Sequence, residues 1–403
     1  MSTTSDSNGG RFLPLSEPCL QGNEWNYVRE CLDSGWISSV GEFVNRFERQ
    51  VAEYVGVKHA VATVNGTSAL HIGLLVAGVQ PDDEVLCSTL TFIATANAIR
   101  YAGAHPVFID CEPDHWQMDP QLVRDFIRTR CRIENGELRN RTTGRRVAAI
   151  MPVHVLGHPV NLNELEVIAG ETGLRLIEDA AESLGASWRG RKIGAAADIA
   201  CVSFNGNKTI TCGGGGMLLT NSKADADRAR YLTTQAKDDA VEYIHHEIGF
   251  NYRMTNVLAA IGLAQLEQLD GFVERRRNIA AFYRQHLSGP GFTWHTDAPD
   301  AISTCWLSTA LIDARQIGLT ACELRDRLQQ ARIQTRRLWQ PMHLSPAHQG
   351  AQAVLNGTAD RLFDQALSFP STPSLQPQDL QRVVDSVCAA IPDQQNAATR
   401  HAA

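Results

Sequence analysis

The chain has 403 residues, more than a single hydrophobic core serves, with the hydrophobic (43%) and charged (20%) fractions of an ordinary globular protein. Its formal net charge is -7, so it lacks the basic field that nucleic-acid binding requires. No apolar run approaches the roughly 20 residues that span a bilayer, and the ten cysteines lie singly, without the paired spacing of a disulfide framework or zinc site. Together these features exclude a nucleic-acid, membrane or metal partner and place the protein in a reducing cytoplasm. The opening MSTTSDSNGG is polar and has neither the basic nor the apolar segment of a signal peptide.

An amphipathic segment, NEWNYVRECLDSG, comes first, followed by a loop and a helix that ends near Gly56. From there seven short β-rich runs alternate with helical patterns: Ala60–Val64, Glu84–Ser88, Pro106–Asp110, Val147–Val155, Leu174–Asp179, Ile199–Phe204 and Met217–Thr220. Several are apolar without alternation, as strands buried on both faces of a parallel sheet must be. The expected class is therefore α/β. One excursion, RTRCRIENGELRNRTTGRR, carries the Asn135-Gly136 step of a tight hairpin between polar flanks. Its arginines form either a solvated face or an anion site. From Thr255 the pattern is helical as far as Gly289, and a strand-like CWLSTALI and two helices follow. The expected division is an arm and large domain over 1–254, a long connecting helix over 255–289, and a small α+β domain over 290–403 whose tail is disordered.

The chemistry gathers at SFNGNKTITCGGGGM, where Lys208 stands just past an apolar strand and before four consecutive glycines. A partly desolvated lysine can act as a nucleophile towards carbonyls and forms a Schiff base with pyridoxal phosphate. Alone, a lysine at a strand end is an ordinary surface residue; its company makes it more. Asp179 ends LRLIED, at the edge where open α/β sheets collect ligands, and could keep a pyridine nitrogen protonated. Thr67 and Ser68 open a helix after the first strand, where backbone N–H groups and hydroxyls suit a phosphate. Ser203 could add a hydroxyl and Phe92 an aromatic face. Glu182, three residues past Asp179, could reach the same ring. The glycines at 213–216 would let backbone approach closely without a Cβ.

The ordered set Thr67-Ser68, PVFID, EDAAESLGA, SFNGNKTITCGGGGM and GFNYRMTNVLAAIGLAQLEQLD resembles the fold-type I, DegT/StrS-type sugar-nucleotide aminotransferases, from about Phe12 to about Ile391. The resemblance implies a mostly parallel seven-stranded sheet with Lys208 as the Schiff-base lysine and Asp179 at the pyridine nitrogen. Thr67, Ser68 and Ser203 would hold the phosphate and Phe92 would cover the ring. Asn251 or Arg253 would enter from a second subunit, so that a homodimer shares its sites. Many members carry Gln or His where this chain has Glu182. The resemblance also implies ping-pong transfer from L-glutamate through pyridoxamine phosphate. The N-terminal PLSEPCLQGNEWNYVRECLDSGWISSVGEF and the ENGELRNRTTGRR excursion are similar to the subgroup of legionaminic acid and bacillosamine biosynthesis, which aminates C4 of a UDP-linked 4-keto-6-deoxy-2-acetamido sugar. Amination at C3 is the alternative. Trp36, Ser38, His154, His158, Trp339 and His343 are the residues expected at the nucleotide and sugar. Two rival readings are a cofactor-dependent sugar dehydratase of the same fold, whose members carry His at the lysine position, and a non-enzymatic scaffold. Lys208 stands against both.

Overall fold

The computed structural model describes residues 11–239 and 241–392, and both the polar start and the tail beyond 392 lie outside the described residues. The large sheet has eight strands: β1 (His59–Thr63), β2 (Glu84–Ser88), β3 (His105–Ile109), β4 (Val147–Met151), β5 (Arg175–Asp179), β6 (Ile199–Ser203), β7 (Gly216–Thr220) and β8 (Gln352–Val354). Their spatial order is β1-β7-β6-β5-β4-β2-β3-β8. Only β7 runs against its neighbours; every other pairing is parallel. The apolar runs follow from this burial, because alternate residues serve opposite cores. Leu86, Val107, Val202 and Leu219 pack into one, and Val85, Phe108, Cys201 and Leu218 into the other. Helices Glu42–Val55 and Asn256–Leu266 cover the first face, and Gly66–Val76 and Ile93–Tyr101 cover the second.

Seven of the strands are those expected from the sequence. The eighth, β8, is a three-residue run from the C-terminal third that pairs in parallel with β3. Three residues carry too little pattern to be seen in isolation. The hairpin is present: Cys131–Glu134 pairs with Glu137–Asn140, and Asn135 (φ 52°) and Gly136 (φ 81°) make the turn. Its Arg132 and Arg139 pair with Glu134 and Glu137, which makes this a solvated face.

The long helix expected over 255–289 is two helices, Asn256–Leu266 and Leu269–His286. The first is buried nearly all round. At the junction Gln265 and Gln268 both donate to Glu24, and Glu267 accepts from Tyr27 and Asn23, so the break lies where the first helix docks on the N-terminal helix Glu24–Ser34. The second helix buries Ile279 and Tyr283 against a four-stranded antiparallel sheet formed by Phe292–Trp294, Ser308–Ile312, Ala366–Phe369 and Arg336–Arg337. The N-terminal arm reaches this sheet too, where Leu13 is fully buried and bridges to Ile333.

Candidate active site

Asp179 is the last residue of β5, and its carboxylate faces a cavity of about 460 Å³ at the carboxyl ends of the parallel strands. Thr95 donates to one carboxylate oxygen at 2.7 Å and the Ala181 N–H to the other at 3.1 Å, which fixes the group's orientation. Glu182 lines the same cavity. One of its oxygens accepts the Leu156 N–H at 2.9 Å and the other lies 3.2 Å from Lys208 Nζ. Burial pushes both carboxyls above the usual carboxylate range, and the lysine charge pulls the other way. Lys208, 13% exposed, has this ion pair and the face of Trp306, 4.5 Å from Nζ, as its partners.

On the opposite wall, helix Gly66–Val76 points its N-terminus at the cavity. Asn65 caps it by accepting the Ser68 N–H at 2.7 Å, which leaves the first turn at Gly66 and Thr67 lining the space. A Cβ on Gly66 would lie 2.7 Å from Ser203 Cβ, so glycine is what lets the helix start sit beside that serine. The glycine run acts in the same region. A Cβ on Gly216 would fall 2.5 Å from the Asn65 carbonyl group, so strand β7 can start only as glycine against the capping residue. Phe92, 54% exposed, presents an uncovered aromatic ring to the cavity.

Of the residues expected at the cofactor and substrate, Thr67, Phe92, Asp179, Glu182, Ser203, Lys208 and Trp339 come together here. Others do not. Ser68 sits one position further into the helix and does not line the cavity. His154 is fully buried, accepting the Val160 N–H at Nδ1 and so donating from Nε2 to Glu178 (2.8 Å), and both ring nitrogens are engaged away from the cleft. His158 is likewise buried, against His115 and His295, with Nε2 accepting the Ala298 N–H. For these two the sequence expectation is corrected: adjacency in sequence to the β4 end brought them close, but their rings turn inward. His343 bridges Thr89 and Asp360 outside the cavity lining. Trp36 and Ser38 are exposed on a loop whose carbonyls accept from Asn256, away from this chain's own cavity. Arg253 is paired with Glu48 and the Ala62 carbonyl within its own chain, because a buried Glu48 requires a cation; Asn251 is exposed.

Sequence reasoning missed Thr95, Trp306, Arg336 and Arg337. Thr95 lies three residues past Phe92 on the helix that Phe92 opens, and that spacing was its only signal. The other three come from the small domain, whose placement over the cavity no local pattern reveals. Arg337 is held by the Phe363 carbonyl and ring. The Arg336 guanidinium has no hydrogen-bond or ion-pair partner among the described residues.

Among the described residues no group of three or more His, Cys, Asp or Glu is arranged to hold a metal, and no helix is long and apolar enough to cross a membrane. A lysine and two buried carboxylates at the switch edge of a mostly parallel sheet, facing a helix N-terminus, define a fold-type I transferase. The chain belongs to the DegT/DnrJ/EryC1/StrS aminotransferase family, whose model it matches over residues 18–388. It is 38% identical to the GDP-perosamine synthase of Escherichia coli O157:H7, over 94% of this chain and 98% of that one. It is 39% identical to the putative pyridoxal phosphate-dependent aminotransferase EpsN of Bacillus subtilis, over 92% and 94% of the two chains. Among solved structures, DesI in the presence of its TDP-sugar product superposes with a TM-score of 0.84 at 29% identity, over 97% and 96% of the chains.

Proposed function

We propose that this protein is a pyridoxal phosphate-dependent aminotransferase that moves the amino group of L-glutamate to C4 of a nucleotide-linked 4-keto-6-deoxy sugar. The observation that carries the reading is Lys208, held at the cavity floor between Glu182 and Trp306 and facing Asp179 across the same space. The residues present fit the cofactor. Asp179, buried and with both oxygens oriented, suits a protonated ring nitrogen, which would supply the cation its burial lacks. The first turn at Gly66 and Thr67, with Ser203 beside it, suits a phosphate. Phe92 would cover one ring face. Bound there, pyridoxal phosphate supplies the electron sink that makes a proton on the amino donor's Cα removable.

The chain's own part in the reaction is binding and proton transfer. Lys208, released from Glu182, takes the proton from the donor's Cα as general base. Glu182 stays ionised while Lys208 carries the charge and accepts a proton readily when it does not, since burial already favours its neutral form. In the second half of the cycle Lys208 delivers a proton to the former keto carbon of the sugar, from its own side of the cavity, and so sets the configuration of the amine. Arg336, unpartnered at the cavity wall beside Trp339, would take an anionic group of the sugar nucleotide, and Trp339 would stack on its base or sugar.

The nucleotide is the point on which the supports differ. The resemblance of the N-terminal segment and the ENGELRNRTTGRR excursion implies a UDP-linked acetamido sugar, whereas relatives are named for GDP-perosamine and for a TDP-sugar product. The functional unit we propose is a homodimer in the cytoplasm, with the exposed Asn251 entering the partner's cavity. Exposed Trp25, Leu32, Trp36, Ile37 and Val40 around the N-terminal helix give such a dimer an apolar face to bury. The test is incubation with ¹⁵N-labelled L-glutamate and UDP-, GDP- or TDP-linked 4-keto-6-deoxy sugars. Label in the sugar product supports the reading and names the nucleotide. A dehydrated, unlabelled sugar would support the dehydratase instead, and no product from any of them would refute the substrate class.

A further inference from the structure

Asn207, the residue before Lys208, lies in the irregular loop between β6 and β7, whose ends are joined by the Phe204 N–H on the Gly215 carbonyl. Its carbonyl accepts two hydrogen bonds, and both come from far along the chain. The indole Nε1 of Trp306 donates at 2.7 Å and the Ser16 hydroxyl at 3.2 Å. The same Trp306 turns its ring face to Lys208 Nζ at 4.5 Å. One side chain therefore touches the lysine at both ends: its N–H at the preceding carbonyl, its π face at the ammonium.

Both donors are themselves fixed to other parts of the molecule. The Trp306 N–H of the main chain donates to Leu156 at 3.1 Å, and its carbonyl accepts from the buried Arg276 at 2.8 Å. Its ring lies 6° from parallel with Trp339, in the small domain. Ser16 lies on the N-terminal arm, which is bonded into the small domain at Leu13 by Arg332 and Gln334, and at Leu15 by Gln334 and Ser371. The lysine loop is thus tied, at the Asn207 carbonyl, to the arm and the C-terminal part, in addition to its bonds to Phe204 and, through the Thr209 hydroxyl, to the Glu182 carbonyl.

We infer that Trp306 and Ser16 are positioning residues for Lys208: by holding the Asn207 carbonyl they set where Nζ stands in the cavity, and they couple that position to the arm and the small domain. The turnover half of the test rests on the aminotransferase reading; the labelling half does not. Trp306→Phe keeps an aromatic ring but removes the indole N–H together with one ring of the bicycle, whereas Ser16→Ala removes only the hydroxyl. In cofactor-free protein, the rate of Lys208 methylation by formaldehyde and borohydride is followed across pH by peptide mass spectrometry. In loaded enzyme, kcat and the KM for glutamate are measured separately. Trp306→Phe is expected to shift the pH profile of Lys208 labelling and to lower kcat about tenfold with KM within about twofold, the loss of one hydrogen bond. Ser16→Ala is expected to lower kcat by less, since its bond is the longer of the two, and the double variant by more than either single one, because the carbonyl then has neither donor. If Trp306→Phe does not fold, the shifted labelling profile in Ser16→Ala carries the test. An unchanged profile with unchanged kcat in the folded variants would overturn the inference. A shifted profile in a protein whose wild type moves no nitrogen would uphold it and overturn the aminotransferase reading instead.

Discussion

Two arrays of buried titratable side chains lie at the carboxyl ends of β4 and β5, and they differ in one respect. Around His154, every polar atom is answered within the chain: Nε2 by Glu178, Nδ1 by the Val160 N–H, and the Glu178 oxygens further by the N–H groups of Gly194 and Ala197. Around Lys208, the groups are oriented but not saturated. Lys208 meets one carboxylate, Asp179 accepts the Thr95 hydroxyl and the Ala181 N–H, and all of them border open space. The first array is a core that happens to be polar; the second is a site. Residue type and proximity in sequence do not separate the two, since Glu178 and Asp179 are consecutive. The alternation of a strand does, by sending one side chain inward and the next to the cavity.

Substitutions at the two arrays should therefore fail in different ways. Lys208→Ala is expected to reduce turnover by at least about 10³-fold because the proton carrier is lost, while the cofactor-free protein still folds because Glu182, left without its cation, takes up a proton. Retained transamination would erase the distinction between the arrays. Asp179→Asn sharpens it. Burial holds the Asp179 and Glu182 carboxyls above the usual range, so the folded state binds protons more tightly than the unfolded one. The stability tied to them is present at acid pH and is lost as pH rises through the folded-state values. Asp179→Asn should then make the cofactor-free protein more resistant to heat at neutral pH while lowering turnover by about 10²-fold or more, seen in paired melting and rate measurements. A variant that loses both activity and stability would place Asp179 in the saturated class.

At the cavity wall, Arg336→Gln is expected to raise the KM for the sugar nucleotide about tenfold and leave kcat within about twofold, the effect of removing one charge-assisted contact to an exposed anion. Equal loss for both substrates would assign Arg336 to something else. In the saturated array, His154→Ala should cost about 1–3 kcal/mol by removing one partner of the buried Glu178 and leaving the Val160 N–H unanswered, with no change in KM for the sugar nucleotide. The smallest effect is in acid. His158 and His295 are held neutral by burial, with pKa values lowered to about 3 and about 4. The unfolded chain takes up protons there from about pH 6.5 downward, so the stability these rings contribute is lost as pH falls below that value. His295→Gln should flatten the fall in melting temperature between neutral and mildly acid buffers.

Much of this architecture was legible in the sequence because it rests on local rules. Buried parallel strands read as unbroken apolar runs, Asn135-Gly136 announces its turn, and Lys208, Asp179 and Thr67 stand at strand ends where ligands meet open sheets. Whatever depends on distant segments meeting was not legible. β8 is too short to carry a period, and the break at Glu267-Gln268 is set by Glu24 more than 240 residues away, through bonds to Gln265 and Gln268. Trp306, Ser16 and Arg336 gain their meaning only when the small domain and the arm close over the lysine. His154 and His158 were misplaced for the converse reason: a histidine at a strand end is chemically suited to a site, and only its rotamer decides whether it faces one.

The central claim is that Lys208 joins pyridoxal phosphate and works as an amino-group relay. Its most direct test is the absorbance spectrum of the purified protein with pyridoxal phosphate, before and after L-glutamate is added. The account predicts a visible band from the lysine-linked cofactor that gives way to the near-ultraviolet band of pyridoxamine phosphate, and that is absent in Lys208→Ala. No visible band in the wild-type protein, or one that glutamate leaves unchanged, would contradict it.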